Sequence, residues 1–214
     1  MNDKTHMGLL PTGLADILPP EAEFEAYITE VLMNSFAKYG YDRVKPPLIE
    51  FEDILLSGSG SNMAKQTFRM MDPISQRMLG VRADMTLQIA RIASTRLGDI
   101  KRPIRLSYAG QVLRVKGSNL RPKRQFGQIG VELVGSPSPK ADSEIIRMAA
   151  DALSNLGIKN LSIDLCLPTL VPAICQSHKI ESTSIVNRLR VALDEKDKPA
   201  VEILEKELGE GTNS

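Results

Sequence analysis

The chain has 214 residues, which suits one domain, or one domain and part of another. Its 42% hydrophobic and 25% charged residues exclude wholesale disorder and leave enough apolar mass for a sizeable core. Lys and Arg total 27 against 26 for Asp and Glu, so the overall charge points to no class of partner, nucleic acid and membrane surfaces included.

Residues 1–18 read as an extended arm punctuated by Pro11-Thr12-Gly13. Pro19-Pro20 then precedes a helical pattern, with Pro20 tolerated at an early helix position. Phe24, Tyr27, Ile28, Val31, Leu32, Ser35 and Phe36 recur at three- and four-residue steps, giving one apolar face that runs to Tyr39, and Gly40 ends it. Residues 41–50, Tyr41 to Glu50, read YDRVKPPLIE: a short strand broken by Pro46-Pro47. Proline donates no backbone hydrogen bond, so this strand is expected at an edge or an interface. Residues 57–62 (SGSGSN) predict a flexible loop. Residues 66–71 and 76–82 predict two strands around a turn at Asp72-Pro73. Arg82 to Thr86 (RADMT) leads into a helix over 87–97, which either Asp84 or Thr86 could cap.

Residues 105–135, RLSYAGQVLRVKGSNLRPKRQFGQIGVELVG, have apolar, strand-like ends around a basic middle that contains Gly117-Ser118-Asn119 and Pro122. Two strands joined by a long loop fit that pattern. Gln128, Gly130 and Glu132 alternate and so share a face, and Gly130 leaves that face bare for a small ligand to rest against backbone. Arg114 and Lys116 share a face on the first arm. Antiparallel pairing would bring a guanidinium, an amide and a carboxylate to one surface. A solvated edge hairpin accounts for the same pattern. From Lys101 to Arg124 there are eight basic residues and no acidic ones, a local patch able to attract phosphate or carboxylate groups.

Beyond Gly135, Ser136-Pro137-Ser138-Pro139 breaks the chain, and residues 143–157 form an amphipathic pattern with Ile145, Ile146, Ala149, Leu153 and Leu156 on one side. Residues 160–165 predict a strand. Three helical segments follow, over 169–177, 183–193 and 199–208. Seven acidic residues against three basic between Asp194 and Glu210 suggest a solvent-facing helix, and residues 209–214 read as a frayed end. Cys166 and Cys175 are too few for a disulfide framework and lack C-x-x-C spacing. His6 and His178 form no metal-ligand pattern, so no metal or cofactor is expected. No apolar run approaches a membrane span and no charged-then-apolar leader opens the chain, which makes a soluble cytoplasmic protein the expectation.

Four segments in fixed order resemble the catalytic domain of the histidyl-tRNA synthetases: GLADILPPEA (13–22), GYDRVKPPLIE (40–50), LGVRADMT (79–86) and the hairpin 105–135. The second resembles that family's first signature motif, which builds a dimer interface around a proline, and the fourth resembles its second. RADMT and the short connecting loops look closer still to a paralogous family, the regulatory subunits of ATP phosphoribosyltransferase. The resemblance implies an α+β fold, a class II aminoacyl-tRNA synthetase-like mixed, mainly antiparallel sheet flanked by helices, with a helical C-terminal segment. It covers residues 8–165 well and the tail poorly. It thus implies an incomplete histidine-binding domain over 1–165 and a helical remainder over 166–214, part of an insertion or of a truncated region.

The same resemblance implies a histidine pocket. Asp84 and Thr86 fall where the family holds the ligand's α-amino group, Arg114 and Gln128 where it holds the carboxylate, and Glu132 where it accepts from the imidazole. A free amino acid offers a cation, an anion and a side-chain donor, and a selective pocket needs a complementary group for each. Two residues depart from the synthetase pattern. Lys116 stands where the nucleotide site has a glutamate, and Pro122 stands where a loop arginine meets the ATP phosphates, although Arg124 matches. The chain also stops before the family's third motif, its second histidine-contacting segment and its anticodon-binding domain, so aminoacylation is not expected. The resemblance implies a non-catalytic subunit, with the short-form catalytic subunit of ATP phosphoribosyltransferase as partner. Free histidine would be the effector, and a homodimer would form through residues 41–50. A divergent synthetase and a scaffold module with a vestigial pocket are the competing readings.

Overall fold

The computed structural model describes residues 9–58, 61–118, 121–165, 167, 169–180 and 182–211. His6, Asn119, Cys166, the ends of the arm and of the tail, and the middle of the 57–62 loop lie outside the described residues. The chain forms two compact units that divide between Leu161 and Ser162.

The first unit is built on a long hairpin, β5 (Ile104–Leu113) and β6 (Gln125–Val134). The arms pair antiparallel, as the sequence suggests, and the register, which the sequence left open, sets Ile104 opposite Val134 and Leu113 opposite Gln125. Even-numbered residues of both strands share one face and odd-numbered residues the other. The odd face carries Ala109, Ile129, Val131 and Leu133. It packs against Met33 and Phe36 of α1 (Glu21–Lys38) and Met148 and Ala152 of α5 (Pro139–Asn155). The even face carries Ile104, Leu106, Tyr108 and Val112 and packs against Met85 and against Ile89 and Ala93 of α4 (Thr86–Ser94). The polar residues of interest, Gln128 and Glu132, stand on this same even face, opposite Gly110 and Leu106.

The stretch from Tyr41 to Glu50 divides between two sheets. β1 (Asp42–Arg43) adds parallel to β5, and β2 (Ile49–Phe51) pairs antiparallel with β4 (Met78–Val81), whose other neighbour is β3 (Phe68–Met71). Pro46-Pro47 explains the change of sheet: neither donates a ladder bond, and both resulting strands lie at sheet edges, as anticipated. The β3–β4 turn is organised by Asp72, whose carboxylate accepts from the Ile74 and Ser75 backbone and the Ser75 hydroxyl. Those bonds, led by the hydroxyl, hold its pKa below the usual range.

Several boundaries differ from expectation for local reasons. Two short helices, α2 (Glu52–Leu55) and α3 (Ser61–Gln66), were not foreseen. α3 takes the end of the predicted loop and the start of a predicted strand, and Thr67 turns its hydroxyl onto Met63 O to close it. α5 starts four residues early because Ser138 accepts from Lys140 N as an N-cap and Pro139 occupies the first turn. On α1 the buried set is Met33, Ser35 and Phe36, while Phe24 and Tyr27 of the predicted face are exposed. The strand predicted over 160–165 does not form: no ladder partner lies beside it among the described residues, and an extended segment alone cannot satisfy its backbone.

The second unit consists of α6 (Leu170–Ser177), α7 (Thr183–Asp194) and α8 (Lys198–Gly211), close to the predicted helices. α8 runs three residues further than the last predicted one and takes in part of the tail expected to fray. Ser182 caps α7 through Ile185 N, and Arg188 pairs with Glu207 across the α7–α8 hairpin. Cys175 is a buried core residue, as its type suggested. Among the described residues no helix is long and apolar enough to cross a membrane, and no group of His, Cys, Asp and Glu is placed to hold a metal ion.

Candidate functional site

The hairpin register decides which side chains can meet. Gly110 stands opposite Gln128, Tyr108 opposite Gly130, and Leu106 opposite Glu132, all on the even face. Arg114 extends that row: its N–H donates to Arg124 O at 2.8 Å, just past the last paired residues. The strip Ala83-Asp84-Met85-Thr86, which joins β4 to α4, crosses in front of this face. Arg114 Nε donates to Ala83 O at 3.3 Å. Gln128 uses both ends of its amide, accepting from Met85 N at 2.9 Å through Oε1 and donating through Nε2 to Asp84 Oδ2 at 3.0 Å. The other carboxylate oxygen of Asp84 accepts from Thr86 N at 2.8 Å, so Asp84 closes the entry to α4 while presenting charge to the site.

A second chain of contacts completes the row. Thr86 Oγ1 lies 3.2 Å from Tyr108 OH, and that hydroxyl donates to Glu132 Oε1 at 3.2 Å. Four of the five predicted residues are therefore joined, Asp84 to Gln128 directly and Thr86 to Glu132 through Tyr108. Arg114 reaches the same strip one residue upstream, its guanidinium stacked over Phe126 at 5.1 Å. Opposite charges stand along one face, with Arg114 at the loop end of the hairpin and Glu132 towards the end where Ile104 pairs with Val134.

Burial sets the electrostatics. It pushes the Glu132 carboxyl above the ordinary glutamate range, only partly offset by the hydroxyls of Tyr108 and Thr86, and Asp84 nearby adds to the rise. Burial likewise lifts the Tyr108 hydroxyl to about 12, so it remains a neutral donor. Two neighbouring carboxylates on one face favour a ligand that brings positive charge or N–H donors.

Two features were not legible. Tyr108 was absent from the predicted set, although it is the bridge between Thr86 and Glu132. The expectation that Gly130 leaves bare floor for a ligand is corrected: a Cβ there would lie 2.5 Å from the Tyr108 ring, so the space serves the tyrosine instead. Once the register is known the signal is plain, because a glycine directly opposite an aromatic residue makes room for its ring. Arg82, immediately before the strip, was also missed; its Nη2 would lie 2.4 Å from a Cβ on Gly110.

A cleft of about 660 Å³ lies elsewhere, against α1 and lined by Ile17, Glu25, Thr29, Met33 and Arg43. It holds no linked set of titratable groups like that on the even face. Lys116 borders a separate cleft of about 380 Å³ with Thr12, Gly117, Ser118, Pro122 and Arg124. There Arg124 is occupied structurally, donating to Arg114 O and Thr12 O and stacking over Phe68.

Comparison with known proteins places this geometry in context. The sequence model of the histidyl-tRNA synthetase family matches residues 13–213. A protein of Paramagnetospirillum magneticum, named ATP phosphoribosyltransferase regulatory subunit, is 59% identical over 201 residues, 94% of this chain and 53% of its own. A protein of the same name from Rhodospirillum centenum is 58% identical over 91% of this chain and 50% of its own. A Bacillus halodurans crystal structure described as an ATP phosphoribosyltransferase regulatory subunit/histidyl-tRNA synthetase superposes with a TM-score of 0.78 at 28% identity, over 90% of this chain and 49% of that one. The chain thus spans about half the length of the curated relatives it matches, and the α+β, synthetase-like architecture predicted from the sequence is the one found.

Proposed function

Because the chain belongs to the histidyl-tRNA synthetase family, we propose that it has kept that family's amino-acid pocket while giving up its nucleotide chemistry. It would act as a histidine-sensing, non-catalytic part of a regulatory subunit of ATP phosphoribosyltransferase, the enzyme that joins ATP to phosphoribosyl pyrophosphate at the start of histidine biosynthesis. The names of its relatives support the assignment to that complex. The observation that carries the sensing role is the row from Arg114 through Gln128 and Asp84 to Thr86, Tyr108 and Glu132, which sets a cation and two acids along one face of the hairpin.

In this reading Arg114 and Gln128 meet the ligand carboxylate, Asp84 and Thr86 meet its ammonium, and Glu132 accepts from the imidazole. Gln128 aligns the strip by holding Met85 N and Asp84 together. Lys116 and Pro122 argue against nucleotide activation: one places a cation where the synthetases carry a carboxylate, and the other removes a phosphate-binding arginine. The histidine-binding domain is assigned to residues 1–165 and the helical segment to 166–214. The partner is the short-form catalytic subunit, self-association uses residues 41–50, and the setting is the cytoplasm. Histidine can relay feedback only by binding one quaternary state better than another.

Calorimetry with free histidine tests the pocket. Binding is expected for the wild type, with a loss of about 10- to 100-fold for Arg114→Ala and Glu132→Ala, each of which leaves a charged ligand group without its partner. In reconstituted complex the same variants should weaken histidine inhibition. No heat and no thermal shift would favour a scaffold with a vestigial pocket. Histidine-dependent pyrophosphate exchange would favour a divergent synthetase.

A further inference from the structure

Arg82 has no place in the recognition scheme above, yet it is the most heavily bonded side chain beside it. It is 6% exposed, and burial draws its pKa below that of an ordinary arginine. A guanidinium in such a place must have its donors matched. Arg82 Nε donates to Gln111 O at 2.8 Å, and Nη1 to Pro46 O at 3.0 Å and Pro47 O at 3.4 Å. Its backbone N–H donates to Leu48 O, and its carbonyl accepts from Leu113 N, both at 3.0 Å. Among the described residues no carboxylate comes within hydrogen-bond range of it; Glu50 acts on it only from further away. The cation is therefore spent on backbone carbonyls of two segments, the proline stretch before β2 and the end of β5.

The proline stretch is gripped a second time from α4. Gln88, buried, donates Nε2 to Pro47 O at 2.8 Å and to Glu50 Oε1 at 2.9 Å. Arg91 Nε donates to Glu50 Oε2 at 3.1 Å, and Nη2 adds a second bond to Oε1. The same helix begins with Thr86, and the strip between Arg82 and Thr86 is the one that Arg114 and Gln128 hold. Ala83 and Met85 in that strip are buried. One face of the strip therefore meets the candidate pocket, while its flanking residues, Arg82 and Gln88, are bonded to residues 46–50.

We propose that Arg82 is a positioning residue for the pocket: together with Gln88 it fastens the strip 83–86 to residues 46–50, so that ligand affinity and the ordering of β2 are coupled. The proposal rests on the histidine reading of the site. Coupling of this kind is reciprocal: whatever factor occupancy contributes to ordering β2, loosening the tether must take the same factor from affinity.

Hydrogen exchange of the purified chain with and without saturating histidine tests this, after calorimetry has measured binding. In the wild type, amides of residues 48–51 and 79–82 should exchange about tenfold more slowly when histidine is present. Gln88→Met keeps side-chain length and apolar fit, leaves every pocket residue in place, and deletes the donor to Pro47 and Glu50 together with an amide oxygen that has no hydrogen-bond partner among the described residues. It should reduce the histidine-dependent protection to about twofold or less and weaken binding about fivefold. Arg82→Lys, which keeps the charge without the forked donors, should behave in the same way; if it does not fold, Gln88→Met carries the test alone. A purely stabilising role would lower the Tm of Gln88→Met and leave the histidine-dependent difference at 48–51 unchanged, which would overturn the proposal. So would histidine binding that never alters those amides. Absence of binding in the calorimeter would instead overturn the pocket, and the tether with it.

Discussion

The two faces of the β5–β6 hairpin are held by different forces. On the odd face, Ala109, Ile129, Val131 and Leu133 meet aliphatic and aromatic side chains of α1 and α5, and the requirement is mainly one of volume. Its polar anchor lies at the rim, where Arg105 forks onto Glu144 at 2.7 and 2.8 Å and Tyr41 donates to the same carboxylate. On the even face Gln128, Glu132 and Arg114 stand beside an apolar cluster under α4 that includes Tyr108. Gln128 and Arg114 are bonded to the strip 83–86, and Glu132 is bonded to Tyr108, whose hydroxyl meets Thr86 of that strip. One face would accept a different side chain of the same size; the other would not.

Substitutions of similar volume should break that contrast most visibly if it is wrong. Met148→Ala or Ile89→Ala opens a void on either face and should cost about 2–5 kcal/mol in urea unfolding, whereas Met148→Leu should cost under about 1.5. Gln128→Leu changes size as little, yet it strands Met85 N–H and one Asp84 oxygen and should cost about 1–3 kcal/mol. Equal tolerance of Met148→Leu and Gln128→Leu would erase the distinction. Gly130→Ala comes next, at about 1–3 kcal/mol, because the added methyl meets the Tyr108 ring; Val131→Ala beside it should not disturb Tyr108.

The smallest effects are read from the pH dependence of stability, and they have opposite signs. Arg105 beside Glu144 holds that carboxyl below its usual range. Its contribution, at most about 1 kcal/mol for a partly exposed pair, is present above the unfolded glutamate pKa and is lost as pH falls through the lowered folded value. Glu132 is shifted upward by burial, so the protein gains stability as pH falls through its raised value. Glu144→Gln should therefore flatten the acid limb of the stability curve. Glu132→Gln should stabilise the protein at neutral pH. Acid titrations of the two variants that move in the same direction would refute the assignment of environments.

Much of this organisation was readable from the sequence, because the signals were local or periodic. The alternation Gln128-Gly130-Glu132 set the face, Pro46-Pro47 marked an edge, and the 3.6-residue patterns located α5 and the three C-terminal helices. Residues whose role depends on an unseen neighbour stayed hidden. Tyr108 looks like any apolar strand residue until the register sets it against Gly130. Arg82 looks like one charge among many until the fold brings Pro46, Pro47 and Gln111 carbonyls around it. α3 was obscured because Ser61–Gln66 begins in a Gly/Ser-rich run. The segment 160–165 has a strand's pattern without a strand's partner, and pattern alone cannot supply one.

That last segment has a practical consequence at the bench. Leu161, Ile163 and Leu165 recur at every second position, continued by Leu167, and all four side chains are exposed on backbone that has joined no sheet. Such a stretch can recruit its own copies edge to edge, so concentrated stocks of this chain should cloud on standing and clear when Ile163 is replaced by Lys, a charge that blocks stacking without entering either compact core.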